Sequence, residues 1–156
     1  SQIFWAQHRH HHVFFNPSPF AVIADEYVDQ FCRSAPLLLF PLLMPVNIDL
    51  LFFQFGLFFY IYGCYLHWGY EFDWLDAHQP FINTAYHHYL HHAKSVVFKP
   101  YHTGFYFKIW DQLFGSVYKG QCICAACERK AGRRSKEEYA KVHKPNYSVL
   151  LQSSFW

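Results

Sequence analysis

The sequence predicts an all-α fold, in which a membrane-embedded helical hairpin is joined to a His-rich helical cap. The chain has 156 residues, of which 53% are hydrophobic and only 15% are charged, whereas ordinary soluble domains carry about 25% charged residues. Residues 34–66 are almost entirely apolar, with Asp49 as their single charged side chain. Histidine-rich segments with helical spacing lie before and after this stretch. These features exclude a disordered segment and a typical soluble domain.

The apolar stretch is too long for one straight membrane span. A single helix over residues 34–66 would reach about 50 Å, while the hydrocarbon core of a bilayer is about 30 Å thick. Pro36, Pro41 and Pro45 interrupt its first half, because proline removes a helical hydrogen bond. We therefore expect a hairpin that turns near residues 45–49, with a distorted first arm and a regular second arm over about residues 50–66. A partly inserted hairpin and a buried helix pair in a soluble core remain alternatives.

A hairpin returns the chain to the side it left, which places residues 8–12 and 67–92 on one face of the membrane. Beyond residue 115, lysines and arginines outnumber the acidic residues. Positive residues near membrane spans favour the cytoplasmic side. The composition thus divides the chain into a His-containing domain over residues 1–118 and a basic, Cys-containing cytosolic tail over residues 119–156.

Charge and cysteine usage narrow the classes of partner. A net charge of +2 does not suggest a nucleic-acid binder, because such a protein needs a dense basic face to neutralise phosphates. The five cysteines are odd in number and unevenly spaced, which argues against a secreted disulfide framework. Cys122, Cys124 and Cys127 could hold a thiophilic metal or carry palmitate beside a membrane. Because neither a second cysteine pair nor a nearby histidine completes four ligands, we expect a reduced, membrane-proximal cysteine patch.

Two histidine boxes share the spacing H-x-x-H-H. Residues at positions i, i+3 and i+4 of a helix lie on one face, so three imidazoles point the same way, as a bound metal ion requires. One such box is weak evidence, but two with identical spacing on either side of an apolar hairpin are strong evidence. The first box consists of His8, His11 and His12, and the second consists of His88, His91 and His92.

Three further side chains are candidate catalytic residues. His67 and Glu71 are four residues apart at the end of the second arm. We expect His67 to be a further metal ligand and Glu71 to orient an imidazole by accepting its second N–H, although a His–Glu contact at an interfacial helix end would show the same spacing. His102 is expected to line the site.

The remaining histidines are predicted to lie outside the site. His10 and His87 fall off the boxed faces, but His87 is four residues from His91, which leaves the register of the second box open. We expect His78 in a loop and His143 in the solvent-exposed tail.

This many imidazoles can hold two transition-metal ions, and imidazole binds iron, zinc, copper and nickel alike. Catalysis also requires an open coordination position for water or dioxygen. Hydrolytic zinc is served by three ligands and a water, so redox iron accounts better for the excess of histidines. A dimetal site at a membrane surface suits the O2-dependent oxidation of an unactivated C–H bond in a lipid.

The order of motifs resembles the fatty acid hydroxylase/sterol desaturase superfamily over about residues 5–118. Within it, the combination of Pro-Phe-Ile-Asn, paired histidines, H-x-x-H-H and Trp-Asp is most similar to the sterol C5-desaturases. The motifs between and after the two boxes are Asn16-Pro-Ser-Pro-Phe-Ala21, His67-x-Gly, Pro80-Phe-Ile-Asn83 and Ile109-Trp-Asp-Gln-Leu-Phe-Gly115.

The resemblance implies a multi-pass, non-haem di-iron enzyme of the endoplasmic reticulum membrane, with its metal site and tail in the cytosol. Such an enzyme uses dioxygen to introduce the C5 double bond into a Δ7-sterol. Its electrons come from NAD(P)H through cytochrome b5 and its reductase. The resemblance implies that the iron ligands are His8, His11, His12, His88, His91 and His92, with His67 as a further ligand.

Two departures bear on this interpretation. The family carries an earlier H-x-x-x-H box, so we expect this chain to be a C-terminal fragment that need not be active in isolation. Lys94, Lys99 and Pro100 replace an aromatic and Asn-rich run of the family, which weakens the substrate assignment. A fatty acyl or sphingolipid hydroxylase of the same superfamily and a non-catalytic metal-binding membrane protein are therefore alternatives.

Overall fold

The computed structural model describes residues 2–14, 18–95 and 99–133, and within these ranges the chain is helical, with no β-strand. The all-α class is therefore confirmed, with one isolated antiparallel bridge between Ile82 and Phe107. Two 3₁₀-helices span His11–Val13 and Pro19–Ile23. The α-helices are α1 (Gln2–His8), α2 (Tyr27–Leu43), α3 (Ile48–Phe52), α4 (Tyr60–Leu66), α5 (Ala85–Lys94), α6 (Lys108–Leu113) and α7 (Ala125–Lys130).

A continuous apolar helix, Ile48–Leu66, is formed by α3, a π-helical segment over Phe53–Phe59, and α4. By length and composition it is apolar enough to cross a membrane. The prediction of a regular second arm is wrong, because the π-helical segment widens the middle of this helix. Its apolar side chains are largely exposed, as in Leu50 at 67% and Phe52 at 66%.

The helix α2 lies antiparallel beside the apolar helix. The Gln30 side-chain amide near the start of α2 donates a hydrogen bond of 2.8 Å to the Tyr60 hydroxyl, so the beginning of one helix meets the later part of the other. The chain turns between them at residues 44–47, where the Asn47 side chain accepts from the Leu50 N–H. The turn therefore lies where the sequence predicts it, whereas insertion of this helix pair into a membrane stays a prediction.

The helix α4 packs closely on the Pro19–Ile23 turn at Gly63. A Cβ atom at Gly63 would lie 2.5 Å from Val22 Cγ2, far inside ordinary carbon–carbon contact. Only glycine permits this approach, which holds the end of α4 next to the segment that follows the first histidine box.

The second half of the chain packs around α5. Tyr86 and Leu90 of α5 form a buried cluster with Ala77 and with Cys124, whose exposure is 0%. The Ile123 N–H donates to the Tyr86 hydroxyl at 3.0 Å. Residues after 118 thus contribute to the core around α5, and the composition boundary between residues 118 and 119 stays a prediction.

Candidate metal centre

The sequence predicts that the first histidine box forms one face of a helix, and this prediction is wrong. Instead, α1 ends at His8, and the chain continues through a turn into the His11–Val13 3₁₀-helix. The rings nevertheless converge, with centroids 4.8 Å apart for His8 and His12 and 5.3 Å apart for His8 and His11. The tighter 3₁₀ turn replaces the second α-helical turn and still directs these three rings toward one another.

The second box lies within α5, as predicted. His88 and His92 are one turn apart, and their Nε2 atoms are separated by 3.1 Å. His87 points elsewhere, because its Nδ1 lies 2.9 Å from the Thr84 hydroxyl and accepts from the Thr84 N–H. The face formed by His88, His91 and His92 is therefore the one that meets the first box.

Four histidines from three parts of the chain form the first of two groups, which we call the four-histidine cluster. His67, at the end of α4, joins the two boxes: its Nε2 lies 3.1 Å from His11 Nε2 and 2.9 Å from His88 Nε2. The ligand atoms of the cluster all lie within 4.8 Å of one another. Its members are His11, His67, His88 and His92.

His8, His12 and His91 form the second group, the three-histidine cluster, with ligand atoms also within 4.8 Å of one another. The Nε2 atoms of His12 and His91 are 3.1 Å apart. The two clusters adjoin, because the His12 ring stacks on the His92 ring at a centroid distance of 4.7 Å. All seven predicted metal ligands are thus brought together as two neighbouring groups of imidazoles.

The spacing of these nitrogens fits shared metal ions. Two imidazoles that bind one ion at about 2.1 Å lie roughly 3.0 to 3.4 Å apart at ligand angles of about 90° to 110°. The contacts of 3.1 Å between His11 and His67 and between His88 and His92 match that separation.

The contacts of each Nδ1 atom, on the outside of the cluster, determine whether the Nε2 atom on the inside carries a bare lone pair. His67 Nδ1 lies 2.7 Å from the Gly63 carbonyl, which requires an N–H on Nδ1 and leaves a bare lone pair on Nε2. His11 Nδ1 lies 2.9 Å from the Asp25 carboxylate, which favours the same tautomer. Two bare Nε2 lone pairs then face each other at 3.1 Å, an arrangement that a cation between them stabilises.

Burial keeps these rings neutral. It lowers the pKa of His11 to about 3 and that of His91 to about 4. Burial also lowers the pKa of His67, His88 and His92 well below the usual value. Because a metal ligand must be deprotonated, these lone pairs are available at neutral pH.

Carboxylates and carbonyls outside the predicted ligand set orient the rings. Asp29 contacts His8 Nδ1 at 2.7 Å, and Asp25, whose side chain is fully buried, contacts His11 and pairs with Arg33. Such partners fix the tautomer and raise the basicity of a ligand. The signal was present in the sequence, since Asp25 and Asp29 are four residues apart just before an uncharged stretch.

Glu71 and His102 contribute no ligand atom to either cluster. Glu71 accepts a hydrogen bond of 2.7 Å from the Ala125 N–H at the start of α7, while the Gly63 carbonyl takes the position beside His67. His102 is buried behind α5, with its ring 4.8 Å from that of His87, and its Nε2 accepts from the Tyr118 N–H.

The other histidines lie outside the two clusters. His10 Nε2 is 3.7 Å from the Glu26 carboxylate, and His143 lies outside the described residues. His78 lies in a loop, as predicted, but its Nε2 is 3.1 Å from Cys127 Sγ. The expectation that no histidine reaches the three cysteines is therefore wrong.

A buried carboxylate holds the loop that supports His91. The Tyr101 carbonyl lies 2.8 Å from His91 Nδ1, so this loop sets the tautomer of His91. Asp111, with an exposure of 0%, accepts from the Gly104 N–H, the Asn83 amide and the Ser116 hydroxyl. The Asn83 and Asp111 motif residues thus brace the loop after α5.

A cavity of about 470 Å3 opens onto both clusters. This volume lies within the range of pockets that enclose small organic ligands, roughly 300–1,000 Å3. Apolar side chains and histidines from both clusters share its wall, so an organic molecule in the cavity would lie beside the imidazoles. The residues that line the cavity include Trp5, Val28, Phe105, His11, His88 and His91.

Comparison with known proteins agrees with this arrangement. Residues 1–116 match the family model described as fatty acid hydroxylase. The chain is 33% identical over 109 residues to lathosterol oxidase of Homo sapiens, covering 70% of this chain and 34% of that protein. It is 32% identical over 117 residues to a Δ7-sterol 5(6)-desaturase of Aspergillus fumigatus, covering 75% of this chain and 31% of that protein.

A second fungal Δ7-sterol 5(6)-desaturase, from Leptosphaeria maculans, is 33% identical over 113 residues, covering 72% of this chain and 29% of that protein. The chain thus spans about a third of the length of the curated relatives that it matches. No solved structure matches it. The motif order, the converging histidines and the match over residues 1–116 lead to one conclusion, that the chain belongs to the fatty acid hydroxylase family.

Proposed function

We propose that this chain is a metal-binding part of a membrane non-haem di-iron oxidoreductase that introduces the C5 double bond into a Δ7-sterol. The observation that carries the proposal is the pair of adjoining histidine clusters beside one cavity. The relatives named lathosterol oxidase and Δ7-sterol 5(6)-desaturase support the sterol substrate.

Each cluster would hold one iron ion. The four-histidine cluster offers four ring nitrogens, and the three-histidine cluster offers three. When bound, the two irons would supply the activation of dioxygen that oxidation of an unactivated C–H bond requires. Ligands from the rest of the longer protein would complete the coordination.

Burial keeps the imidazoles of His11 and His67 neutral, and neighbouring groups direct their rings. Asp25 and the Gly63 carbonyl hold the outer nitrogens of His11 and His67, so both Nε2 atoms point into the cluster. Both residues are buried, with exposures of 3% for His11 and 2% for His67. The arrangement is therefore preorganised for metal binding, with little reorientation required of the rings.

The cavity would bind the ring system of the sterol. Trp5, Val28 and Phe105 provide an apolar wall, while His88 and His91 border the same space. A lipid bound there is held by apolar contact and presents a C–H bond to the metal-facing side. We propose that the apolar helix anchors this site at the endoplasmic reticulum membrane, with the histidine clusters in the cytosol and electrons supplied from NAD(P)H by cytochrome b5 and its reductase.

The test is expression of the full-length protein in cells that lack their own sterol C5-desaturase. We expect about two irons per chain after purification and renewed formation of Δ5,7-sterols. His91→Ala should abolish product formation, whereas His10→Ala is the matched control, because His10 lies beside the first box but belongs to neither cluster. Both variants should reach the membrane at parent levels.

Other outcomes distinguish the alternatives. Iron with a hydroxylated acyl chain would assign the protein to the acyl hydroxylases of the same family, the candidate that the family description itself favours. Zinc or copper without oxygen uptake would identify a non-catalytic metal-binding membrane protein. Product formation by His91→Ala would exclude His91 as a ligand.

A further inference from the structure

A second set of metal-binding side chains lies on the far side of α5. Its members are one imidazole and three thiols, whose ligand atoms all lie within 4.8 Å of one another. His78 Nε2 is 3.1 Å from Cys127 Sγ, 3.4 Å from Cys124 Sγ and 3.7 Å from Cys122 Sγ. None of these residues belongs to the histidine clusters described above.

We propose that His78, Cys122, Cys124 and Cys127 form a structural zinc site that fastens the loop after the apolar helix to the segment before α7. Structural zinc is bound tetrahedrally by cysteine and histidine, and Cys3His is one of its usual ligand sets. With Zn–S of about 2.3 Å and Zn–N of about 2.1 Å, a tetrahedral site separates nitrogen and sulfur by about 3.6 Å. The three observed distances bracket that value.

Both halves of the site are held by contacts that require no metal. The Asp76 carboxylate accepts from the His78 N–H at 2.8 Å, and the Lys108 ammonium donates to the carbonyls of Ala77 and Gln79 on either side of His78. The loop is therefore fixed in the position that presents the imidazole to the thiols.

The cysteine segment is fixed just as firmly. Cys124 is fully buried against α5, and the Cys127 N–H donates to Cys124 Sγ at 3.4 Å. Glu71 accepts from the Ala125 N–H, which anchors the start of α7 between two of the ligands. Backbone N–H groups directed at sulfur and ligands set by neighbouring contacts are the surroundings that a bound zinc ion needs.

The ligands are distant in sequence, because His78 precedes the first of the three cysteines by 44 residues. A zinc ion would therefore close a long loop around α5 and hold Tyr118, whose N–H contacts His102, against the same helix. Metal binding at such a site contributes directly to folding stability.

The first experiment is a cobalt titration of the reduced, metal-free, full-length protein in detergent. We expect one equivalent of cobalt to produce thiolate-to-cobalt charge-transfer absorption, which zinc then removes. The histidine clusters contain no thiolate, so cobalt bound there cannot produce this absorption. Its absence would overturn the proposal whether or not the enzyme is active.

Variants locate the ligands. His78→Ala should weaken cobalt binding at this site more than tenfold, and Cys127→Ser should reduce the charge-transfer absorption, whereas His78→Cys should restore binding with stronger absorption. Cys64→Ser is the matched control, because Cys64 lies in α4 outside the site. Parent-like cobalt spectra from both His78→Ala and Cys127→Ser would exclude these residues as ligands.

A measurement on the unmodified protein does not depend on the folding of any variant. Zinc-bound cysteines should resist alkylation until a chelator is added, which mass spectrometry can follow at each cysteine. Protection released only by a thiol reductant would indicate a disulfide, and protection released by hydroxylamine would indicate an acyl thioester. Either outcome, or free alkylation without chelator, would overturn the zinc site.

Discussion

Replacing Gly63 with alanine tests how the fold positions the metal centre. The new Cβ would lie 2.5 Å from Val22 Cγ2, more than about 1 Å short of an ordinary carbon contact. Val22 is buried, with an exposure of 4%, so the Pro19–Ile23 turn and α4 must separate. Overpacking of this kind costs about 1–3 kcal/mol. The displaced Gly63 carbonyl would also release His67 Nδ1, and we expect metal affinity to fall about 10–100-fold.

Two readouts check this expectation, namely thermal unfolding in detergent and iron content after dialysis against a weak chelator. Gly56→Ala is the matched control in the same helix, because the three atoms nearest to its Cβ would all belong to the exposed Phe52 ring, at 3.2 to 3.4 Å. Val22→Ala in the Gly63→Ala background should recover iron binding by removing the clashing methyl group. The reasoning is refuted if Gly63→Ala retains iron as Gly56→Ala does, or if the second substitution has no effect.

Three further predictions concern polar groups around the site. Asp25→Asn should lower metal affinity about 10–100-fold, as measured by competition with a chelator, while Asp49→Asn at an exposed position should not. Burial lowers the pKa of His11 from 6.5 to about 3, so the folded state disfavours its protonation. The metal-free protein should therefore keep the stability contributed by neutral His11 above pH 6.5 and lose it as the pH falls toward 3. A melting temperature that rises on acidification would contradict this expectation. Asp111→Ala removes the acceptor from three hydrogen bonds, two of them buried, and should destabilise the fold by about 2–5 kcal/mol in thermal unfolding.

Local patterns in the sequence determined the helical class, the second histidine box and the turn between the two long helices. The i, i+3, i+4 spacing of His88, His91 and His92 could be interpreted directly, because their relative directions depend only on the backbone of α5. The turn followed from proline and apolar run length, which are also local properties. The order of the motifs, which is also a property of the sequence alone, indicated the family.

The first box shows where local reasoning fails. Its spacing predicts one helical face, yet α1 ends at His8 and a 3₁₀ turn follows. The rings of His8 and His11 nevertheless converge, and distant carboxylates contact their outer nitrogens, Asp29 at His8 and Asp25 at His11. The three side chains therefore lie close together although the predicted helix was wrong, since several backbone paths can bring the same three rings together. That they bind metal stays a prediction.

Only the tertiary structure decided which distant groups meet. His67 reaches His11 across 56 residues, and this contact depends on the close approach that Gly63 allows. Asp25 meets His11, and His78 meets three cysteines, through packing between segments that carry no shared local pattern. The spacing of residues in the sequence specifies the relative directions of side chains on one helix. Contacts between distant segments depend instead on how the whole chain packs and on its backbone geometry.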